Sequence, residues 1–352
     1  MHSLNSVLLT SLAFTPEQAA TLRSLGECRG RQALFYQQAP EILQQLKEGA
    51  VIESVESSNR IEGITVKPGR LEPLMDRSTD PGNRSEQELA GYRDALALIH
   101  ENARAMPVSA NIVLQLHKTL FRYLPNPGGQ WKAANNEIVE TRPDGNRRIR
   151  FMPTPAHLVQ TQMDELAGQF TQFDGRETYD PLLLIPLVVL DFLCIHPFTD
   201  GNGRIARLLT LLLLYQADYE VGRYISLERV IEDSKESYYQ TLEQSSQGWH
   251  EGQHDPMPWL NYFWGVLLAA YREFEVRASA LPGGRGSKTE QVRLAVLTKT
   301  CPFAISDIKA ECSGVSHDMV RHVLRQMKDE GLIRSTGRGR SAKWVLLQAP
   351  VQ

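Results

Sequence analysis

Residues 181–215 read PLLLIPLVVLDFLCI, then HPFTDGNGRIAR, then LLTLLLLY. The first run, Pro181 to Ile195, is apolar nearly all round, and a helix of that kind belongs in the middle of a domain with others packed about it. Pro197 disfavours helical geometry at His196, so the first helix stops there. Asp200-Gly201-Asn202-Gly203 is a turn sequence. Its glycines let backbone N–H groups converge on one point, as in an anion-binding nest, and the next helix aims its own N-terminal N–H groups at the same point. The third run, Leu208 to Tyr215, is far below the ~20 residues that span a bilayer.

Arg204 and Arg207 fall at the start of the second helix, three apart and on one face. That end of a helix is positive, so each cation there costs roughly 0.3–1 kcal/mol unless an anion answers it. A nest, a helix start and two forked guanidiniums together suit a di- or triphosphate. Asp200 beside them is a natural Mg²⁺ ligand, because that ion takes one or two carboxylates plus phosphate oxygens. His196 suits a general base, with an ordinary pKa near 6.5.

HPFTDGNGRIAR resembles the HPFx(D/E)GNGRxxR signature of Fic-domain proteins and departs from it at no fixed position. The family's characteristic activity is transfer of AMP from ATP to a hydroxyl side chain of a target protein. The resemblance implies that His196 deprotonates the acceptor and that Asp200 binds Mg²⁺. It implies that Gly201, Asn202 and Gly203 cradle the α- and β-phosphates, that Arg204 holds the β-phosphate and Arg207 the γ-phosphate, and that Phe198 anchors the loop in the core. The family's kinase-like branch lacks the second glycine, which disfavours phosphoryl transfer here. Ser, Thr or Tyr of a protein target is the expected acceptor, self-modification included. Two other readings stay open: a DNA-associated regulator whose core senses nucleotide without turnover, and transfer of a different nucleotide or of a phosphorylated headgroup.

Around this loop most of residues 15–280 reads as helices. Thr15-Pro16-Glu17 is a helix start, and 35–62, 84–104, 108–123, 155–172 and 180–195 carry helical apolar spacing or dense apolar runs. Period-two patterning singles out 137–141 and 147–152 as one β-hairpin turning through 142–146. It lies where the family has its flap, which implies that Ile149, Arg150, Phe151 and Met152 line the acceptor side. Tyr238 of Ser237-Tyr238-Tyr239 sits where the family places an aromatic residue near the nucleoside. Gly128-Gly129-Gln130-Trp131-Lys132 is similar to the family's G-x-W/Y-R run with lysine for arginine, and no role is assigned to Lys132. The expected fold is mainly α: a Fic-type helical core with a hairpin flap.

Upstream, Ser58, Glu62 and Gly63 match the family's inhibitory pattern (S/T)xxxE(G/N) within a segment of about 54–63. Gly63 reads as a glycine just past a helix end, which sets the Glu62 carboxylate against the negative end of the dipole. Glu62 and Arg207 are each misplaced locally, and pairing would relieve both. The pair would also occupy the guanidinium that the γ-phosphate needs. Release through a homodimer or through target binding is the expected trigger.

Past Leu281-Pro282-Gly283-Gly284-Arg285-Gly286-Ser287 the character of the chain changes. Residues 288–347 hold 11 Lys and Arg against 6 Asp and Glu, a net of +5 within a 352-residue chain of net −3, which leaves −8 elsewhere. Helical patterns at 288–299, 304–312 and 315–330, then strands at 332–334 and 343–346, resemble a winged helix-turn-helix. That resemblance implies DNA as a partner, the third helix in a major groove and the wing on phosphates; protein docking or dimerisation is its other use. The expected divisions are a helical region with the inhibitory helix (1–105), a catalytic core (106–280), a linker (281–287) and a winged-helix domain (288–352). Apolar residues make up 42% and charged residues 22%, which excludes collagen-like and disordered classes. Cys28, Cys194, Cys301 and Cys312 form no C-x-x-C pair, so neither a zinc ribbon nor a redox dithiol is supported. Scattered thiols and the lack of a secretory leader or a spanning segment give a cytoplasmic expectation with no membrane partner.

Overall fold

A computed structural model describes residues 2–38, 40–141, 147–174, 179–279, 288–297, 299, 302–312, 314–336 and 343–347. The expected turn 142–146, linker 281–287, wing tip Gly337-Arg338-Gly339-Arg340 and Cys301 lie outside them. In chain order come α1 (Ser6–Ser11), α2 (Pro16–Gln38), α3 (Pro40–Ile61), α4 (Leu71–Met75), α5 (Arg84–Asn102) and α6 (Ala110–Leu120). The hairpin β1 (Ile138–Thr141) and β2 (Arg147–Phe151) follows, then α7 (Val159–Asp174), α8 (Pro181–Ile195), α9 (Asn202–Gln216), α10 (Leu227–Asp233), α11 (Lys235–Ser246) and α12 (Met257–Ser279). The basic C-terminal stretch gives α13 (Lys288–Leu297), α14 (Ile305–Glu311), α15 (His317–Asp329), β3 (Ile333–Thr336) and β4 (Lys343–Leu346).

The sequence signals act as physics demands. At the start of α2 the Thr15 side chain accepts from the Gln18 N–H at 3.3 Å, and Gln18 Oε1 accepts from the Thr15 N–H at 2.8 Å, a reciprocal capping box. Helix α8 is buried almost throughout and forms the hub. Its internal Pro186 cannot donate to the Leu182 carbonyl, a defect that costs about 3 kcal/mol in an isolated helix. The Trp264 indole donates to that orphaned oxygen at 2.8 Å, and the Trp259 indole donates to the Pro186 carbonyl at 2.8 Å. Two tryptophans of α12 thus repair the break and fasten the helix. One buried acid on α8, Asp191, accepts from the Trp249 indole at 2.6 Å and from the Ser3 N–H and hydroxyl; burial pushes its carboxyl up to about 6.

One hydrophobic cluster runs from Leu4 to Ala278, so residues 1–105 and 106–280 share it. A second cluster, Val292 to Ile333, is built from α13, α14, α15 and β3. There Val320, Val323, Leu324 and Met327 line the buried side of α15, and Ser316 caps it. Strands β3 and β4 pair antiparallel, with a further bridge between Phe303 and Trp344. No helix among the described residues is long and apolar enough to cross a membrane.

Candidate functional site

The site forms where α8 ends and α9 begins. His196 closes α8 in the left-handed region, φ 50° and ψ 60°, and its N–H donates to the Phe192 carbonyl. Its Nδ1 lies 3.3 Å from the Leu193 carbonyl. A carbonyl only accepts, so Nδ1 carries the proton and Nε2 keeps its lone pair. Burial pulls the imidazole down to about 4; the Leu193 carbonyl, Glu62 and Asp200 oppose that shift and Lys132 adds to it. The ring is neutral near pH 7, as a base needs to be.

Gly201 precedes α9 with φ 85°, and no side chain caps that helix start. Asn202 is only 3% exposed; its amide accepts from the Phe198 N–H at 2.9 Å and donates to the Phe198 carbonyl at 2.8 Å. Its side chain therefore clamps the turn, and its contribution to a nest is its backbone. Phe198 is fully buried, stacked on His117 at 3.7 Å between centroids. Asp200 is about half exposed, with Oδ1 accepting from the Gly201 N–H at 2.6 Å and Arg84 lying 3.6 Å from Oδ2.

Both expected arginines are buried, and the anions that answer them here are protein carboxylates. Arg204 donates to Glu88 of α5 at 2.6 Å and lies 3.4 Å from Asp200. Arg207 donates through Nε to Ser58 Oγ at 2.8 Å, and through Nη2 to the Ser58 carbonyl at 2.9 Å and Glu62 Oε1 at 2.8 Å. Its Nη1 is buried and has no hydrogen-bond partner among the described residues. Helix α3 ends at Ile61, one residue before Glu62, in a tight turn: the Gly63 N–H reaches the Arg60 carbonyl, the Ile64 N–H reaches the Asn59 carbonyl, and Gly63 has φ 78°. The turn drops the Glu62 carboxylate onto the tip of α9, where a Cβ added to Gly203 would collide with Glu62 Oε1 and meet Arg207 Nη1 at 3.3 Å. One carboxylate oxygen thus rests against the helix start and a guanidinium together.

The flap residues divide. Ile149 and Met152 are 51% and 48% exposed. Arg150 is held inward, its guanidinium donating to the Tyr239 carbonyl and lying 5.6 Å from that ring. Phe151 stacks on His250 at 5.4 Å. Residues 149–152 and 246–251 line a cleft of about 240 Å³. Tyr238 is 3% exposed and packs edge-on to Tyr239 and Trp259, so its ring belongs to the core and Tyr239 is the more accessible of the two.

Three supporting residues escaped the sequence reading. His117 of α6 accepts the Gly129 N–H on Nδ1 at 2.8 Å, which leaves Nε2 to donate to the Asp200 carbonyl at 3.1 Å; burial pulls this imidazole down to about 4. Glu88 and Asn136 grip Arg204 and the Phe198 carbonyl. All three act across separations of 62 to 116 residues. The one signal available was a histidine on the apolar face of a helix.

The geometry defines a helix-tip anion site beside a neutral imidazole. Residues 107–214 match the model of the Fic/DOC family, and the chain carries a Fic domain. It is similar to protein adenylyltransferase fic-1 of Caenorhabditis elegans, 24% identical over 168 residues, covering 45% of this chain and 30% of that one. It is also similar to protein adenylyltransferase Fic of Nematostella vectensis, 23% identical over 207 residues, covering 56% and 44%. The chain thus spans less than half the length of these curated relatives. Its fold resembles that of a Fic family protein from Desulfovibrio desulfuricans G20, with a TM-score of 0.62 at 21% identity, covering 97% of this chain and 99% of the other.

Proposed function

We propose that this protein is an autoinhibited adenylyltransferase that moves AMP from ATP to a Ser, Thr or Tyr hydroxyl of target proteins, itself included. The observation that carries the reading is the Glu62 carboxylate seated on Gly203 and Arg207, an internal anion on an anion site. With Glu62 displaced, the N–H groups at the start of α9 and the guanidiniums of Arg204 and Arg207 would take the phosphates. The acceptor hydroxyl gives its proton to Nε2 of His196 as its oxygen bonds to the α-phosphorus. The bond from that phosphorus to the bridging oxygen breaks, and pyrophosphate leaves. Asp200 fits Mg²⁺: it is a half-exposed carboxylate beside the helix tip. An ion there would share its coordination with nucleotide oxygens. Bound there, Mg²⁺ would neutralise phosphate charge.

The test is incorporation of labelled ATP in the presence of Mg²⁺. Glu62→Gly is expected to raise it strongly and His196→Ala to abolish it; unchanged incorporation in Glu62→Gly overturns the brake. Mass spectrometry of the product separates AMP from any other transferred group.

We also infer that residues 288–347 bind DNA. The support is the solvent face of α15, where Arg321, Arg325 and Lys328 are exposed opposite the buried stripe, within a region of net +5. The full chain is expected to shift duplex DNA at low salt and to lose the shift as salt rises. A shift that survives in Arg321→Ala/Arg325→Ala would remove α15 from the interface.

A further inference from the structure

Every carbonyl in the last turn of α8 has a partner. The Phe192 carbonyl accepts from the His196 N–H at 2.9 Å, that of Leu193 lies 3.3 Å from His196 Nδ1, and that of Cys194 accepts from the Thr154 N–H at 3.4 Å. The last, Ile195, accepts from the ammonium of Lys132 at 3.3 Å. On the other side of His196, the Pro197 carbonyl accepts from the Lys132 backbone N–H at 2.9 Å. Lys132 thus holds the chain one residue before and one residue after the imidazole. Its ammonium also donates to Asn136 Oδ1 at 2.7 Å, and Asn136 donates to the Phe198 carbonyl at 3.1 Å. Such a brace has a reason. A non-glycine residue in the left-handed region costs about 1–2 kcal/mol and persists only where its surroundings over-determine it.

We propose that Lys132 is a positioning residue for His196, its buried ammonium and its backbone N–H together fixing the left-handed turn that aims the imidazole. This rests on the reading of His196 as the base. Lys132 is only 4% exposed and has no carboxylate partner among its hydrogen bonds; burial lowers its ammonium to about 8. A buried cation held by two neutral oxygens is costly to keep for stability alone. The charged groups facing His196 are Lys132, Glu62 and Asp200. Burial dominates the downward shift of the ring, and of the three charges Lys132 is the one that adds to it, so its charge disfavours protonation of the base while its hydrogen bonds keep it oriented.

The test uses the full chain in a Glu62→Gly background. Lys132→Met is expected to lower kcat about tenfold or more, with KM for ATP within about twofold, because a misaimed base slows chemistry without loosening the nucleotide. Lys132→Arg is expected to restore most of kcat. A loss confined to KM, or an arginine variant as damaged as the methionine one, overturns the proposal. Asn136→Ala, which removes one anchor of the ammonium, should shift kcat in the same direction by less and serves if Lys132→Met does not fold. A readout independent of activity is the His196 ring titration followed by NMR without nucleotide. Its midpoint should rise in Lys132→Met, and an unmoved midpoint overturns the proposal. Should the Glu62→Gly parent transfer nothing, the adenylyltransferase reading fails, and this titration still decides the role of Lys132.

Discussion

Arg204 and Arg207 lie three residues apart on α9, and each meets a glutamate from a helix distant in sequence. Arg204 is 1% exposed and its partner Glu88 is 4% exposed. Glu88 is held from a second side by Arg84 at 2.8 Å, and the same cluster reaches Asp200. Arg207 is 3% exposed, but its partner Glu62 is 32% exposed and has no second ion pair among the described residues. Glu62 also stands just past the end of α3, on a turn shaped by one glycine, whereas Glu88 is in the body of α5. A buried, doubly held carboxylate is a fixed counterion. A partly solvated carboxylate on a helix end is one that a polyphosphate can displace, because water receives it when it leaves.

The largest effect that would break this contrast belongs to the fixed pair. Glu88→Gln keeps the shape and removes the charge, leaving Arg204 buried with only Asp200 at 3.4 Å. Stripping one partner from a buried pair costs about 3 kcal/mol or more. Thermal and denaturant unfolding should therefore show a marked loss of stability, with no gain in ATP affinity. A stable Glu88→Gln protein that binds ATP more tightly would make Glu88 a second brake and erase the distinction.

Next comes the displaceable pair. Glu62→Gly removes a charge-assisted hydrogen bond of about 2 kcal/mol, in the range for such contacts, from the Arg207 guanidinium that the proposed nucleotide would need. Calorimetry is expected to show ATP binding tighter by about 30-fold, with folding stability lowered by no more than the same amount of about 2 kcal/mol. An unchanged dissociation constant would mean that Glu62 leaves the site at no cost and controls nothing.

Much of this contrast was legible in the chain, and the illegible part has a physical reason. Arg204 and Arg207 declared themselves by sitting at the wrong end of a helix, and Glu62 did so by the same argument at the opposite pole. The glycines supplied the turns, and period-two patterning set the hairpin to within a residue at each strand. Glu88 was silent. In sequence it belongs to Arg84-Ser85-Glu86-Gln87-Glu88, an ordinary charged stretch of α5, and nothing local reveals that both its acids are buried. Tyr238 was singled out by its place in the chain; packing sets its ring among Tyr239, Trp259 and Tyr262, and the same residue lines one cavity with Arg207. Lys132 and His117 act on the loop between α8 and α9 only because α6 and the segment after it fold against the end of α8. Tertiary contacts of that span leave no mark on periodicity.

The smallest effect sharpens the Arg207 side of the comparison, where Ser58 holds the guanidinium at two points. Its hydroxyl accepts from Arg207 Nε, and its carbonyl accepts from Nη2 beside Glu62. If the hydroxyl serves only the brake, Ser58→Ala should matter with Glu62 present and vanish without it. The geometry argues otherwise. The Nε contact does not involve the carboxylate, and Arg207 already carries a buried Nη1 with no partner among the described residues. A second orphan on the same guanidinium would let it swing whether or not Glu62 is there. In the Glu62→Gly background, Ser58→Ala is therefore expected to weaken ATP binding by about fivefold, the equivalent of one net hydrogen bond of about 1 kcal/mol. The coupling between the two positions follows from a double-mutant cycle. Near-zero coupling would mean that Ser58 prepares Arg207 for phosphate independently of the brake. Complete coupling would mean that the whole end of α3, serine and glutamate together, is the inhibitory element.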